Sequence, residues 1–247
     1  MPSNENATMI KRPHNRPSKI WRYMDTEKYL YLLNYSSLFF VRSDKLEDEF
    51  EGSWTKADTK NRKKSAEPEL GRRFTNDYAK ILKNLKKKTF ISCWHLRDTE
   101  SQTMWNVYGR IGKSIALQST YDRFHNAVTE HVTLGLVEYI DYDSESFYSE
   151  ARKAASPFYF KRKEFSSERE LRGTIQKHEY GAIDPDEKFD ETEFGVDLVV
   201  ELDDLIEKVI VAPGMEDWLF KLISSLTEKF GYSFPVIRSR IDATPVF

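Results

Sequence analysis

Apolar positions along the chain change their period several times, and those changes mark out its elements. Residues 1–18 show no period. Asn, Ser, Pro and Arg dominate there, and the segment reads as a flexible N-terminal arm ahead of one ordered unit, 19–247. Lys19-Ile-Trp-Arg-Tyr is short and aromatic-rich, as a strand is. Asp25 or Thr26 can cap the helix that follows, in which Tyr29, Leu30, Leu32 and Leu33 recur at helical spacing. Leu38-Phe-Phe-Val is a compact buried strand. The acidic segment Asp44–Ser53 carries Gly52 at a turn. A polar stretch from Thr55 to Pro68 precedes a helix expected over about 69–85, which Lys86-Lys-Lys closes at the negative end of its dipole.

Thr89-Phe-Ile-Ser-Cys-Trp is rich in β-formers and reads as a central strand. A short helix, Ser101–Tyr108, stops at Gly109. Strands are expected over Lys113–Gln118 and Leu134–Tyr142, joined by a helix around Tyr121–Ala127. Phe147–Arg162 is partly helical by pattern, with a break at Pro157, and Glu170–Gln176 returns as a strand. An acidic loop covers Gly181–Gly195, strands follow at Val196–Leu202 and Lys208–Val211, and Met215–Phe230 is the clearest amphipathic helix, ended by Gly231. Phe234–Arg238 is a last strand. Without an internal repeat or a linker, this is an α+β pattern for a single domain with mixed or antiparallel sheets flanked by helices.

Composition narrows this picture. In 247 residues the aromatic fraction is 14% against a hydrophobic fraction of 39%, so large rings carry much of the burial and are available to line a pocket for a flat ligand. Charges of both signs alternate to a net of −2, which points to no polyanionic partner. The one cysteine, Cys93, excludes an internal disulfide framework and suits a reducing cytoplasm. No apolar run approaches the roughly 20 residues that span a bilayer, and the first residues lack a secretory apolar region.

Four clusters carry candidate chemistry. Arg22 lies between Trp21 and Tyr23. It is either an exposed residue flanked by core rings or a pocket arginine that clamps a phosphate. Ser92 occupies a position where an apolar side chain would pack better, so its hydroxyl has a specific partner or is a satisfied core group. Cys93 and His95 share a face of that strand, yet no thiolate-stabilising environment is readable and a catalytic Cys93 is not expected. Met104, Trp105 and Tyr108 form a helical stripe with Glu100 at its start, a core pattern. Glu168 and Glu170 flank one residue where loop becomes strand. In extended backbone their carboxylates would aim at one site and raise each other's pKa, unless Arg162, Arg169 and Arg172 neutralise them as a surface network. The histidines, His14, His95, His125, His131 and His178, lack metal-ligand spacing, so no metal is expected, and phosphate-cradling glycine loops are absent.

Taken in order, Trp21-Arg-Tyr-Met, Leu38-Phe-Phe-Val-Arg-Ser-Asp, Glu47-Asp-Glu-Phe-Glu-Gly, Ser92-Cys-Trp-His, Met104-Trp-Asn-Val-Tyr-Gly and Lys161-Arg-Lys-Glu-Phe through Glu168-Arg-Glu-Leu-Arg resemble the bacterial domain-of-unknown-function family twenty-nine seventy-one over about residues 19–238. More distantly, Arg22, Ser92 and Glu168-Arg-Glu170 resemble the motif set of R-S-E type ADP-ribosyltransferases, with Cys93-Trp94 standing where those have Thr-Ser. This second resemblance implies an ADP-ribosyltransferase-like fold and NAD as the bound nucleotide. It implies that Glu170 holds the ribose 2′-hydroxyl and stabilises the oxocarbenium-like charge, and that Glu168 orients or deprotonates the acceptor. Arg22 would hold the phosphate or ribose, Ser92 would brace Glu170 or the ribose, and Tyr23, Trp94 or Phe165 would stack on nicotinamide. The acceptor is open among protein, nucleic acid and small molecule, and a toxin or defence role fits the resemblance. Two other readings stay open: a non-catalytic binding or effector-accessory protein with a remodelled pocket, and a nucleic-acid-processing protein such as a metal-dependent nuclease.

Overall fold

The structure, a computed structural model, describes residues 10–15, 18–65, 79–109, 112–128, 132–147, 156–177, 184 and 186–245. Its elements in order are β1 (Lys19–Asp25), α1 (Thr26–Tyr35), β2 (Ser37–Arg42), α2 (Lys56–Ser65), α3 (79–87), β3 (Thr89–Leu96), α4 (Gln102–Tyr108), β4 (Ser114–Thr120), α5 (Tyr121–Ala127), β5 (Val132–Leu136) and β6 (Glu138–Ile140). Then come β7 (Phe160–Arg162), β8 (Glu170–Gln176), β9 (Gly195–Val199), α6 (Leu202–Leu205), β10 (Lys208–Val211), α7 (Asp217–Lys229) and β11 (Val236–Arg238). Caps explain several starts. The Asp25 carboxylate accepts the Lys28 N–H at 2.7 Å to open α1, and Ser101 Oγ accepts the Met104 N–H at α4.

Most strands join one mixed sheet in the order β11-β10-β4-β1-β3-β2-β9. β8 pairs along the other edge of β3, and β5 lies beyond β8. The central strand β3 is therefore forked. Its last residues pair with β1 (Ile20↔Leu96, Trp21↔His95) and its first with β2 (Val41↔Ile91, Arg42↔Phe90). Across from them, β8 follows β3 from Thr89 to His95. Between the two short registers, Ser92, Cys93 and Trp94 pair with neither β1 nor β2, and the sheet opens there.

The two faces of the sheet differ. Ile20, Met24, Phe90, Trp94, Leu117, Leu171 and Val209 point to one face and pack under Tyr29 and Leu33 of α1, Phe124 of α5 and Ile223 of α7 as the main core. The other face carries Trp21, Tyr23, Ala116 and Ile210 beneath Met104 and Trp105 of α4. Beside them, the registers of β3 and β8 place Cys93, His95, Glu170 and Arg172 together on this second face.

The expected elements differ from the structure in several places. The stretch 56–65, expected as polar loop, is helix α2. Thr55 Oγ accepts the Asp58 N–H at 3.1 Å and donates to its carboxylate at 2.8 Å, so a cap starts a helix that has no apolar stripe. The expected helix at 69–85 falls partly outside the described residues, which show helix at 79–87. The strand expected over Leu134–Tyr142 breaks at Val137, because β6 leaves the main sheet to pair in parallel with β7. Ser156–Tyr159 is a 3₁₀ turn, and Leu202 begins α6 instead of extending β9. Within the expected flexible arm, Ile10 is buried against Tyr159, and the Lys11 carbonyl accepts the Leu136 N–H at 2.7 Å. Gly135 leaves the room for this: a Cβ there would lie 2.0 Å from the Ile10 side chain. Residues 1–9 and 16–17 of that arm lie outside the described residues.

Candidate active site

A cleft of about 970 Å³ passes through the fork. Glu27, Lys28, Tyr31 and Leu32 of α1 line it on one side of the sheet, and Met104, Tyr108, Lys161, Phe165, Glu168 and Glu170 line it on the other. Ligand clefts run to roughly 300–1,000 Å³, so this one has room for a dinucleotide. Glu170 is 4% exposed and turned inward.

At the fork, Arg22 reaches from β1 to β2, where Nη2 donates to the Phe39 carbonyl at 2.8 Å and the guanidinium lies 5.9 Å from the Trp94 ring. Nη1 is buried with no hydrogen-bond partner, and no carboxylate pairs with Arg22 among the described residues. Burial lowers its pKa to about 10, only weakly opposed by nearby Cys93. A desolvated ion left unpaired costs on the order of several kcal/mol.

The other pole of the cleft is a buried charge cluster. Lys161 Nζ on β7 lies 2.5 Å from Glu168, 2.8 Å from Glu170 and 3.2 Å from Glu51. Arg172 Nε donates to the second Glu170 oxygen at 2.6 Å, and Nη1 donates to the Phe158 carbonyl at 2.8 Å. Arg172 Nη2 sits 2.5 Å from Glu51 Oε2, an ion-pair contact whose angle is not that of a hydrogen bond. Glu51 is held there by Gly52, at φ +70, where a Cβ would strike the Phe158 ring at 2.3 Å.

Two cations thus face three carboxylates, and the balance decides who carries a proton. Burial alone would raise the Glu170 pKa, but Arg172, Glu168 and Lys161 outweigh it and hold Glu170 well below the usual range. Glu168 is left over. Burial, and after it the adjacent Glu170, push its pKa up to about 7 against the pull of Lys161. The two glutamates act as a coupled pair, one ionised and one poised near neutrality.

Their convergence does not arise as extended backbone would produce it. Glu168 ends a 3₁₀ turn, Arg169 is left-handed at φ 42, and only Glu170 belongs to β8. Both side chains meet because Lys161 gathers them. Such a backbone costs a non-glycine residue about 1–2 kcal/mol, and the cluster on either side holds it.

Ser92 lies on the helix-covered face, 1% exposed, where its Oγ accepts the Trp94 Nε1–H at 3.2 Å; it does not line the cleft. Trp94 lines the fork with one edge while its ring packs on Phe124. Tyr23 lines the cleft from the second face, edge-on to Trp105 at 4.9 Å, and its hydroxyl accepts the Ser101 N–H. Phe165 is half-buried beside Lys161 Nζ at 4.7 Å, and Arg162 lies between Phe165 and Phe50 while paired to Asp48. Cys93 faces the cleft side, and burial followed by Glu170 drives its thiol pKa well up, so it is no ready thiolate.

Sequence reasoning did not single out Lys161, Glu51 or His95 for this site. Lys161 and Glu51 sit inside quoted motifs, but which charges in a run turn inward depends on the β6–β7 pairing and the Gly52 turn. His95 Nδ1 donates to the Glu168 carbonyl at 2.5 Å, and its Nε2 is buried without a partner among the described residues.

No protein-family model matches the chain, which leaves the likeness to family twenty-nine seventy-one without that support, and no curated protein matches it by sequence. Three solved structures of Thermus sp. 2.9 DarT are similar to it. In complex with ADP-ribosylated ssDNA, the TM-score is 0.42 at 10% identity, covering 94% of this chain and 99% of that one. The complex with carba-NAD+ gives 0.43 and 11% over 94% and 98%, and the complex with NAD+ gives 0.42 and 12% over 93% and 98%. At these scores the likeness has no bearing on activity or ligand. Among the described residues, no helix is long and apolar enough to cross a membrane, and no three His, Cys, Asp or Glu side chains group as a metal site.

Proposed function

We propose that the chain binds NAD in this cleft and transfers its ADP-ribose group to an acceptor. The supporting observation is Arg22: a half-buried side chain whose Nη1 is buried and which has no carboxylate partner among the described residues, lining the same cleft as an ionised Glu170 and a near-neutral Glu168. An uncompensated buried cation favours an anionic ligand, and a pyrophosphate meets the Arg fork well.

In this reading Glu170, held ionised by Arg172 and Lys161, accepts the ribose 2′-hydroxyl and stabilises the positive charge that develops as the nicotinamide–ribose bond breaks. The two cations leave lone-pair sites free on its oxygens. Glu168 takes the proton of the attacking acceptor group. Phe165, half-buried on the cleft, supplies the stacking ring; Trp94 and Tyr23, at 1% and 9% exposure, contribute edges. Ser92 acts through Trp94, as the hydroxyl that orients its indole. The acceptor class stays open among protein, nucleic acid and small molecule.

The purified chain should release nicotinamide from NAD. Arg22→Gln should weaken NAD binding by about 10–100-fold in calorimetry, since a charge-assisted pair contributes about 1.5–3 kcal/mol. Binding of NAD that is indifferent to Arg22→Gln would remove the basis of the reading.

Turnover should also depend on pH with a defined sign. Glu168 serves as a base only when ionised, so kcat should rise as pH passes upward through about 7 and level off above it. Glu168→Gln should flatten that limb in a pH–rate profile.

One observation favours a second reading. Both Glu170 oxygens already have cationic partners, as they would in a non-catalytic binding protein whose pocket has closed on itself. Such a protein would bind its ligand without nicotinamide release, and its Glu170→Gln variant would bind equally well.

A further inference from the structure

We infer that His95 is a specificity-determining residue that accepts a hydrogen bond from the ligand's carboxamide N–H at the nicotinamide end of the cleft. This rests on the NAD reading and adds to it a selection between nucleotides.

The tautomer follows from the partner. Nδ1 faces the Glu168 backbone carbonyl at 2.5 Å, and a carbonyl can only accept, so the ring proton is on Nδ1. Burial, and then the positive charges of Arg97 and Arg169, hold the imidazole pKa below its ordinary value against the pull of that carbonyl and Glu170, which keeps the ring neutral at physiological pH. Nε2 then carries a bare lone pair. It has no partner among the described residues, and His95 is 2% exposed and lines the cleft. A buried acceptor without a donor is disfavoured by the desolvation of that atom, and a ligand that brings an N–H relieves it.

Position identifies which part of the ligand arrives there. His95 sits directly opposite Glu170 across the β3–β8 ladder and opposite Trp21 across β3–β1. If Glu170 holds the nicotinamide ribose, the neighbouring space on the same face receives the base attached to that ribose. Trp21, Tyr23 and Tyr108 line this part of the cleft with rings, and the Tyr23 ring stands 6.3 Å from the imidazole. Arg22, reaching the Phe39 carbonyl on β2, lies toward the phosphates. A planar base beside His95 presents its carboxamide edge, whose NH₂ group is the donor the lone pair lacks. A carboxylate or a methyl ketone at the same ring position offers no N–H.

The test compares three nucleotides on the whole chain by calorimetry: NAD, its analogue with a methyl ketone in place of the carboxamide, and its analogue with a carboxylate there. The wild-type chain should bind NAD on the order of 100-fold more tightly than either analogue, because a site built to receive an N–H rejects an isostere without it. His95→Leu should narrow the NAD-to-ketone ratio to about 3-fold or less, the residue of ordinary packing differences. Equal wild-type affinity for NAD and the ketone analogue would overturn the assignment, as would an undiminished ratio in His95→Leu. The wild-type ratio stands by itself if His95→Leu does not fold. Failure to bind NAD at all would instead defeat the NAD reading, and this inference with it.

Discussion

Replacing Glu170 with glutamine should lower nicotinamide release from NAD by a factor on the order of 10²–10³, the size of effect seen when one preorganised stabiliser of transition-state charge is removed. The substitution keeps the shape of the side chain and removes its charge. NAD affinity should change far less than kcat, because the charge that Glu170 answers develops only as the glycosidic bond breaks. A second consequence belongs to the cluster. With Glu170 neutralised, two carboxylates face two cations, so Glu168 no longer has to stay protonated and its pKa should fall from about 7 toward the ordinary carboxylate range. Carbon NMR on labelled glutamate would follow it. A variant with wild-type turnover would remove Glu170 from the chemistry, and an unmoved Glu168 would mean that charge balance does not set its pKa.

The largest expected loss of stability is at Arg172. Its side chain is fully buried and ties together Glu170, Glu51 and the Phe158 carbonyl. Arg172→Leu leaves Glu170 and Glu51 to Lys161 alone and the Phe158 carbonyl without its donor, and breaking a buried ion pair from one side costs about 3–5 kcal/mol. Chemical denaturation should show this as a lower midpoint with an unchanged slope. Removing the surface cation Lys163, exposed and paired to Glu145, should leave the denaturation midpoint nearly unchanged, because solvent screens such a pair. A mild effect at Arg172 would show that water or neighbouring groups can replace it.

The periodic elements were largely legible in the sequence. Strands and helices with apolar spacing, such as Tyr121–Ala127 and Lys208–Val211, fall where the pattern places them. The misses have physical causes that apolar spacing does not carry. Helix α2 forms from a cap without an amphipathic stripe, and the break at Val137 follows from a partner strand, Phe160–Arg162, that lies far along the chain. The cleft shows the same division. Arg22, Glu168 and Glu170 were recognisable from their setting, whereas Lys161 and Glu51 look like members of ordinary charged runs until the fold turns them inward. Ser92 was recognisable as a hydroxyl with a partner, but alternation along β3 sends it to the opposite face from Glu170.

The split at the middle of the sheet has a mechanical meaning. Where Ser92, Cys93 and Trp94 pair with neither β1 nor β2, the two flanking strands are joined through the Arg22 side chain, whose Nη2 holds the Phe39 carbonyl. Nη1 is spare. An anion captured by that spare nitrogen adds a tie between the two halves without undoing the existing one, so occupancy should stiffen the molecule along its seam instead of prying it open.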